Sequence, residues 1–271
     1  MILNLPTLKG FTPRRSETTA WSDHAPFGYD LVAELQPRLL VELGAHTGQS
    51  YFTFCQSVSE NGTDTLCYAV DTWKGDQHAG FYPESVYREV KAHNQELYGG
   101  FSYLLRMTFD EARAQFSEES IGLLHIDGYH TYEAVRHDYD NWLPRVRPDG
   151  IVLLHDVAAR HPGYGVWRLW EEIARPGCSF MFDQGSGLGV VKKSPDTRFT
   201  SEFLNRLFAA DERERKMIMN YYALVCDRIR LHRMIGARND RRRIRRLIKN
   251  RIVAPLRGVA RVFGLVPKSD P

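Results

Sequence analysis

The 271-residue chain has no apolar run near the roughly 20 residues that a membrane-spanning helix needs. Its first residues, MILNLPTLKGFTPRRSE, lack the apolar core of a secretory signal, so a cytoplasmic protein is expected. Cysteine is scarce. The four at 55, 67, 178 and 226 have no metal-type spacing and read as reduced thiols. Glycine is missing altogether between Gly189 and Gly236, where helix formers and charge take over. No full G-x-G-x-x-G dinucleotide fingerprint occurs, and low-complexity sequence is limited to the arginine cluster Arg241–Arg246. A hydrophobic share of 43% and a charged share of 25% are otherwise ordinary for a globular protein.

The net charge of +3 conceals an asymmetry. From Tyr221 onward there are 14 Lys/Arg and 3 Asp/Glu, against 22 and 30 in the first 220 residues. An acidic body therefore carries a basic tail. The expected organisation is an arm (1–20), an α/β domain (21–194) and a basic helical extension (195–271), with helices at Phe199–Phe208, Arg213–Met234 and Asp240–Lys249.

What is present is organised around Ile121 to Val157. The apolar run Ile121–Ile126 stops at Asp127-Gly128-Tyr129-His130, and a second, Ile151–Leu154, stops at His155-Asp156. Between them Tyr132, Val135, Tyr139, Trp142 and Leu143 recur at helical spacing, and Asp149-Gly150 is expected to turn the chain into the second strand. Strands joined through a helix are normally parallel, so both polar ends fall on the carboxyl edge of a sheet, where open α/β folds place ligands.

The same logic runs upstream. Leu39 opens a strand that meets Gly44-Ala-His-Thr-Gly48, and a helix follows through Tyr51, Phe54 and Val58. Gly48 would let a ligand approach the free NH groups of that helix start; the alternative is a plain tight turn. Leu66–Val70 ends in Asp71, suited to vicinal ribose hydroxyls, and Trp73 beside it could stack on adenine or fill the core. Lys74–Gly80 reads as a loop over the ligand edge, and a helix follows through Val86, Val90 and His93. Ser102–Met107 is a further strand, and Thr108-Phe109-Asp110-Glu111 opens a helix with capping chemistry. A helix at Tyr29–Leu35, another at Pro162–Trp170 and short strands at Ser179–Phe182 and Leu188–Lys192 complete an α/β, doubly wound, mostly parallel seven-stranded sheet.

VELGAHTGQS resembles the first motif of class I S-adenosylmethionine-dependent methyltransferases, and YAVDTW is similar to their second. LLHIDGYHTYEAVRHDYDNWLPRVRPDGIVLLHD resembles the branch of metal-dependent sugar O-methyltransferases of macrolide and surface-glycan pathways. GDQHAGFY, GVWRLWEE and GLGVV fit relatives often joined to glycosyltransferases, and the resemblance spans about residues 20–193. It implies a Rossmann-like methyltransferase domain that moves a methyl group from S-adenosylmethionine to a hydroxyl of a sugar or glycan. Glu42, Gly44 and Gly48 would line the methionine end of the cofactor. Asp71 would hold the ribose, with Trp73, Thr108, Phe109 and Asp110 near the adenine. Asp127 and Asp156, with His155, would bind Mg²⁺ or Mn²⁺, and His130 would be the general base. Relatives commonly carry an oxygen ligand where this chain has His155, a departure that leaves a metal such as Mn²⁺ or Fe²⁺, another role for this ring, or no metal at all.

Histidine titrates near neutrality, which suits His130 to that task; helix capping is its alternative role. His125, mid-strand, reads as structural, and the loop residues His46 and His78 could touch substrate. The partners expected are a sugar or glycan acceptor, a glycosyltransferase, a second copy of the chain and no nucleic acid. Two other function classes compete: a non-catalytic module docking glycan-assembly enzymes, and an NAD-dependent dehydrogenase, which the missing glycine fingerprint disfavours. Ile244, Leu247, Ile248 and Ile252 form one apolar face among arginines. That tail suits either packing on protein or contact with the inner face of an anionic membrane.

Overall fold

The computed structural model describes residues 5–15, 19–78 and 80–236. The expected helix at Asp240–Lys249 and the apolar face beyond it lie outside the described residues, and no helix among those described is long and apolar enough to cross a membrane. Contacts divide the chain into two units, with boundaries at Thr12/Pro13 and Ala209/Ala210.

The larger unit is a seven-stranded sheet. Its strands are β1 (Leu39–Leu43), β2 (Leu66–Asp71), β3 (Ser102–Arg106), β4 (Ile121–Ile126), β5 (Val146–His155), β6 (Ser179–Phe182) and β7 (Leu188–Lys192). They lie in the order β3-β2-β1-β4-β5-β7-β6. The first five are parallel, while β7 runs antiparallel to both β5 and β6. This is the Rossmann-like methyltransferase fold expected from the sequence. The order reverses between β1 and β4, and every parallel strand in that region delivers its carboxyl end to one edge.

The helices are α1 (Ala25–Leu35), α2 (Gln49–Asn61), α3 (Glu84–Leu97), α4 (Phe109–Arg113), α5 (Tyr132–Trp142), α6 (Val166–Ile173) and α7 (Glu202–Ala209). Two-residue alternation sorts the strands' side chains to two faces. Val41, Leu43, Val70, Leu124, Ile126, Val152 and Leu154 pack with Ala112 of α4, Val135 and Trp142 of α5 and Leu169 of α6. The alternate residues of β1 and β4, Leu40, Glu42, Leu123 and His125, are also fully buried, so the central strands are covered on both faces. That double burial explains why they read as continuous apolar runs rather than alternating ones.

Four local expectations are corrected. Asp149-Gly150 makes no turn: the chain leaves α5 through a 3-10 turn at Leu143–Arg145 and is already in β5 at Val146. Ile121 pairs with Val146 but Leu123 with Ile151, so the extra residues bulge out of register, stapled by Arg147 to Asp149 at 2.7 Å. Helix α1 starts at Ala25 rather than Tyr29, because Pro26 sits in the first turn, where its missing N–H costs nothing. Helix α6 starts at Val166, after Pro162–Gly165 has formed a turn. The segment after Trp73 holds a two-residue antiparallel ribbon, Gly75–Asp76 with Gly80–Phe81. The larger compact unit runs from Pro13 to Ala209, with α7 packed on α1.

In the smaller unit, helix α8 (Glu212–Gly236) holds Leu5–Thr12. Thr7 Oγ1 and the Tyr221 hydroxyl are 2.7 Å apart, and the Arg228 guanidinium donates to the carbonyls of Thr7 (3.3 Å) and Phe11 (2.8 Å).

Candidate active site

The strand ends open into a cavity of about 560 Å³ on the carboxyl edge. Nine of the residues singled out in the sequence line it: Gly44, His46, Asp71, Thr108, Phe109, Asp127, His130, His155 and Asp156. Glu42, Gly48, Trp73 and Asp110 do not.

At the β1–β2 end, Gly44 has φ +91°, and a Cβ there would lie 2.0 Å from the Asp127 carbonyl oxygen. Only glycine allows the ends of β1 and β4 to approach this closely. Asp71 accepts the backbone N–H of His46 at 2.9 Å and of Trp73 at 2.6 Å. Burial pushes its carboxyl pKa up, against the lowering effect of those amides. Trp73 turns into the core, only 1% exposed, with Nε1 donating to the His46 carbonyl at 2.8 Å. Thr72 takes the place at the cavity wall. Thr108 and Glu111 form the expected capping box of α4, which fixes Phe109 against Gly128. Asp110, exposed, pairs with His137 at 3.0 Å. Gly48 begins α2 with φ +82°, its α-carbon covered by Phe52.

Glu42 is fully buried on the other face of β1. It accepts from Ser50 Oγ at 2.6 Å, and Oε2 lies 3.2 Å from His125 Nδ1. Parallel register sets Glu42 directly beside His125 on β4. Trp21 Nε1, which can only donate, points to His125 Nε2 at 3.2 Å, so the ring carries its proton on Nδ1, beside Glu42. His125 is structural, as expected, and Glu42 with it forms a buried polar chain that ends at Trp21, part of the cavity wall.

At the β4–β5 end two carboxylates and two imidazoles converge. His130 Nε2 lies 2.9 Å from Asp156 Oδ2 and 3.9 Å from Asp127 Oδ1. His155 Nδ1 is 3.2 Å from a carboxylate oxygen of each, Asp127 Oδ1 and Asp156 Oδ2, while its Nε2 faces the Gly185 carbonyl at 3.1 Å. With acceptors at both nitrogens, the geometry favours a doubly protonated His155 ring. Burial works to lower its pKa, but Asp127 and Asp156 outweigh it and raise it to about 10. His130 is likewise lifted to about 9 against its burial. Asp127, in turn, is held well below the usual carboxylate range: burial pushes it up, and the His155 and His130 rings prevail. Behind them His24 is depressed to about 3 by burial and by the charge of His155. Asp156 is held at φ +62°, a strained conformation for a residue other than glycine, which keeps its carboxylate in the cluster.

Donor atoms of Asp127, His130 and Asp156 all lie within 4.8 Å of one another, a set that fits one divalent cation. Two carboxylates suit Mg²⁺, and an imidazole shifts preference toward Mn²⁺. His155, expected among the ligands, is outside this trio and braces both carboxylates from behind.

Several lining residues had not been singled out in the sequence. Tyr164 stacks on His130 at 4.6 Å and 6°; His78, singled out in the sequence, does not line the cavity but stacks on the Tyr164 ring at 4.9 Å. Tyr82 stacks on His46 at 4.2 Å. Tyr129, Asp76, His161 and Ser186 complete the wall. The dense Tyr/His content of the loops after β2 and β5 was the available signal.

The fold is of the Rossmann-like methyltransferase type. Residues 41–157, somewhat less than half of the chain, match the family described as "Methyltransferase domain". A 172-residue stretch is 50% identical to the uncharacterized protein y4gI of Sinorhizobium fredii, covering 63% of this chain and 19% of that protein. The chain thus spans about a fifth of the length of the curated relative it matches. Among solved structures, the cofactor-bound Rv0187 from MTB is similar in fold, with TM-score 0.50 and 12% identity over 68% of this chain and 84% of that one. The O-methyltransferase TomG from Streptomyces achromogenes, solved with SAM, aligns at TM-score 0.46 and 14% identity over 65% of this chain and 91% of that one.

Proposed function

We propose that this protein transfers a methyl group from S-adenosylmethionine to a hydroxyl of a sugar or glycan. The observation that carries the reading is the meeting, in one cavity, of a ribose-suited carboxylate, Asp71, with the Asp127–His130–Asp156 trio. The match to a methyltransferase domain supports the donor. An acidic cavity also suits a sulfonium cation, and the Tyr and His faces suit the apolar face of a sugar ring.

In the reaction, the acceptor oxygen attacks the methyl carbon in line with the departing sulfur. A C–O bond forms, the C–S bond breaks, and S-adenosylhomocysteine leaves with the electron pair. Positioning does much of the work because the donor is already reactive. Asp71 orients the donor through its ribose. Asp127 and Asp156 would hold Mg²⁺ or Mn²⁺, which when bound supplies charge compensation and acidifies a nearby hydroxyl. With the cation held by the two carboxylates alone, His130 Nε2 is left free of it to take the hydroxyl proton. Its raised pKa reflects the two carboxylates, and once their charge is compensated the ring returns toward its ordinary range.

The test is transfer of radiolabelled methyl from S-adenosylmethionine to a panel of nucleotide sugars and glycosides, with chelator or with Mn²⁺. The reading expects label in a sugar and loss of the reaction on chelation. Label found only in non-sugar hydroxyls would reject the acceptor class, and a rate indifferent to exhaustive chelation would reject the metal.

A further inference from the structure

A second cavity, of about 510 Å³, opens between the start of β6, the end of β7 and α7. It lies away from the candidate active site: Lys192, in its wall, pairs with Ile151, four residues before His155 on β5, or roughly 13 Å along the strand. Its size is in the range of small-molecule sites.

The wall contains Lys192 and Arg198 and neither aspartate nor glutamate. Lys192 is 6% exposed, and its ammonium donates to the carbonyls of Pro195 at 3.0 Å and, more weakly, Thr197 at 3.5 Å. An ammonium has three N–H groups; two meet neutral carbonyls, and the charge also lies 5.4 Å from the centre of the Phe208 ring, so its partners include no anion. A buried cation without an anion is costly. No carboxylate among the described residues pairs with Lys192 or with the exposed Arg198. Phe199 and Phe208, stacked at 5.6 Å, give the cavity an apolar side. The side chain of Asn205 is spent on the backbone of Phe199 and Ser201, which holds that stretch of main chain beside the cavity.

We propose that this cavity binds a small organic anion, a phosphate or carboxylate carried on an apolar ring, with Lys192 and Arg198 taking the anion and Phe199 and Phe208 the ring. The inference does not depend on the methyltransferase reading. A Lys192 that merely staples the following loop would leave the cavity without affinity for such a ligand.

Cys178 supplies the reporter. It lines the cavity and is partly exposed, whereas Cys55, Cys67 and Cys226 are buried. The rate at which the thiol reagent DTNB modifies Cys178, identified by its loss in Cys178→Ser, is measured in the full-length protein. Phenyl phosphate, benzoate and neutral phenol are the probes. Phenyl phosphate or benzoate should slow modification about tenfold at ten times its Kd. Phenol should have little effect, and Arg198→Gln should lose most of the protection. Arg198→Gln, an exposed substitution, carries the test even where Lys192→Gln does not fold. No protection by either anion, equal protection by phenol, or full protection retained in Arg198→Gln would each overturn the proposal.

Discussion

Raising the pH should destabilise the domain through the Asp127–His130–Asp156–His155 cluster, before any substrate is considered. His130 and His155 move from an ordinary 6.5 to about 9 and about 10 on folding. Both folded-state values lie above the unfolded one. Their stabilisation is therefore complete below pH 6.5 and is lost as pH rises through about 9 and 10. One pKa unit corresponds to about 1.4 kcal/mol. Both rings share the same two carboxylates, so their contributions overlap, and the pair should be worth about 3–5 kcal/mol rather than a simple sum. Cys67 and Tyr51, raised by burial, also weaken the fold in alkali. The informative quantity is thus the difference between wild type and His155→Gln. Urea unfolding with chelator present, at intervals from pH 6.5 to 10, should show wild type more stable at the acid end and the two curves converging toward pH 10. Parallel curves across that range would refute the assignment of His155 as a buried cation between the carboxylates.

Three further outcomes are expected. Asp71→Ala should weaken S-adenosylmethionine binding by about 1.5–3 kcal/mol, the scale of hydrogen bonds to a charged group, as read by calorimetry; unchanged affinity in a folded variant would contradict the ribose role. His130→Ala should leave donor affinity nearly intact and lower turnover by roughly 10²–10⁴-fold, and a loss of donor binding instead would point to a structural ring. Gly44→Ala, which drives a Cβ to 2.0 Å from the Asp127 carbonyl at φ +91°, should lower stability by roughly 3 kcal/mol or more in urea titration.

The sheet was legible because four of the five parallel strands end in a clear break: Gly44, Asp71, Asp127 and His155-Asp156 all mark the same edge. Their convergence follows from right-handed crossovers alone. Glu42 lies off the cavity wall for a physical reason. In a strand buried on both faces, apolarity does not reveal which residue points where. Only the register with β4 puts Glu42 beside His125 instead of in the cavity. Trp21 was invisible because its partner, His125, lies 104 residues away. Asp149-Gly150 has turn chemistry, but pairing with β4 and a carbonyl of Gly150 accepting from Lys193 keep that segment in the sheet. His155 could be recognised as unusual for a metal ligand. Its actual engagement depends on the Gly185 carbonyl, brought by a loop that no spacing rule connects to β5.

Calorimetric titration of the purified chain with S-adenosylhomocysteine, and in parallel with NAD, tests the central claim most directly. The account predicts saturable binding of S-adenosylhomocysteine, weakened in Asp71→Ala, and none of NAD. Binding of NAD without S-adenosylhomocysteine would contradict it.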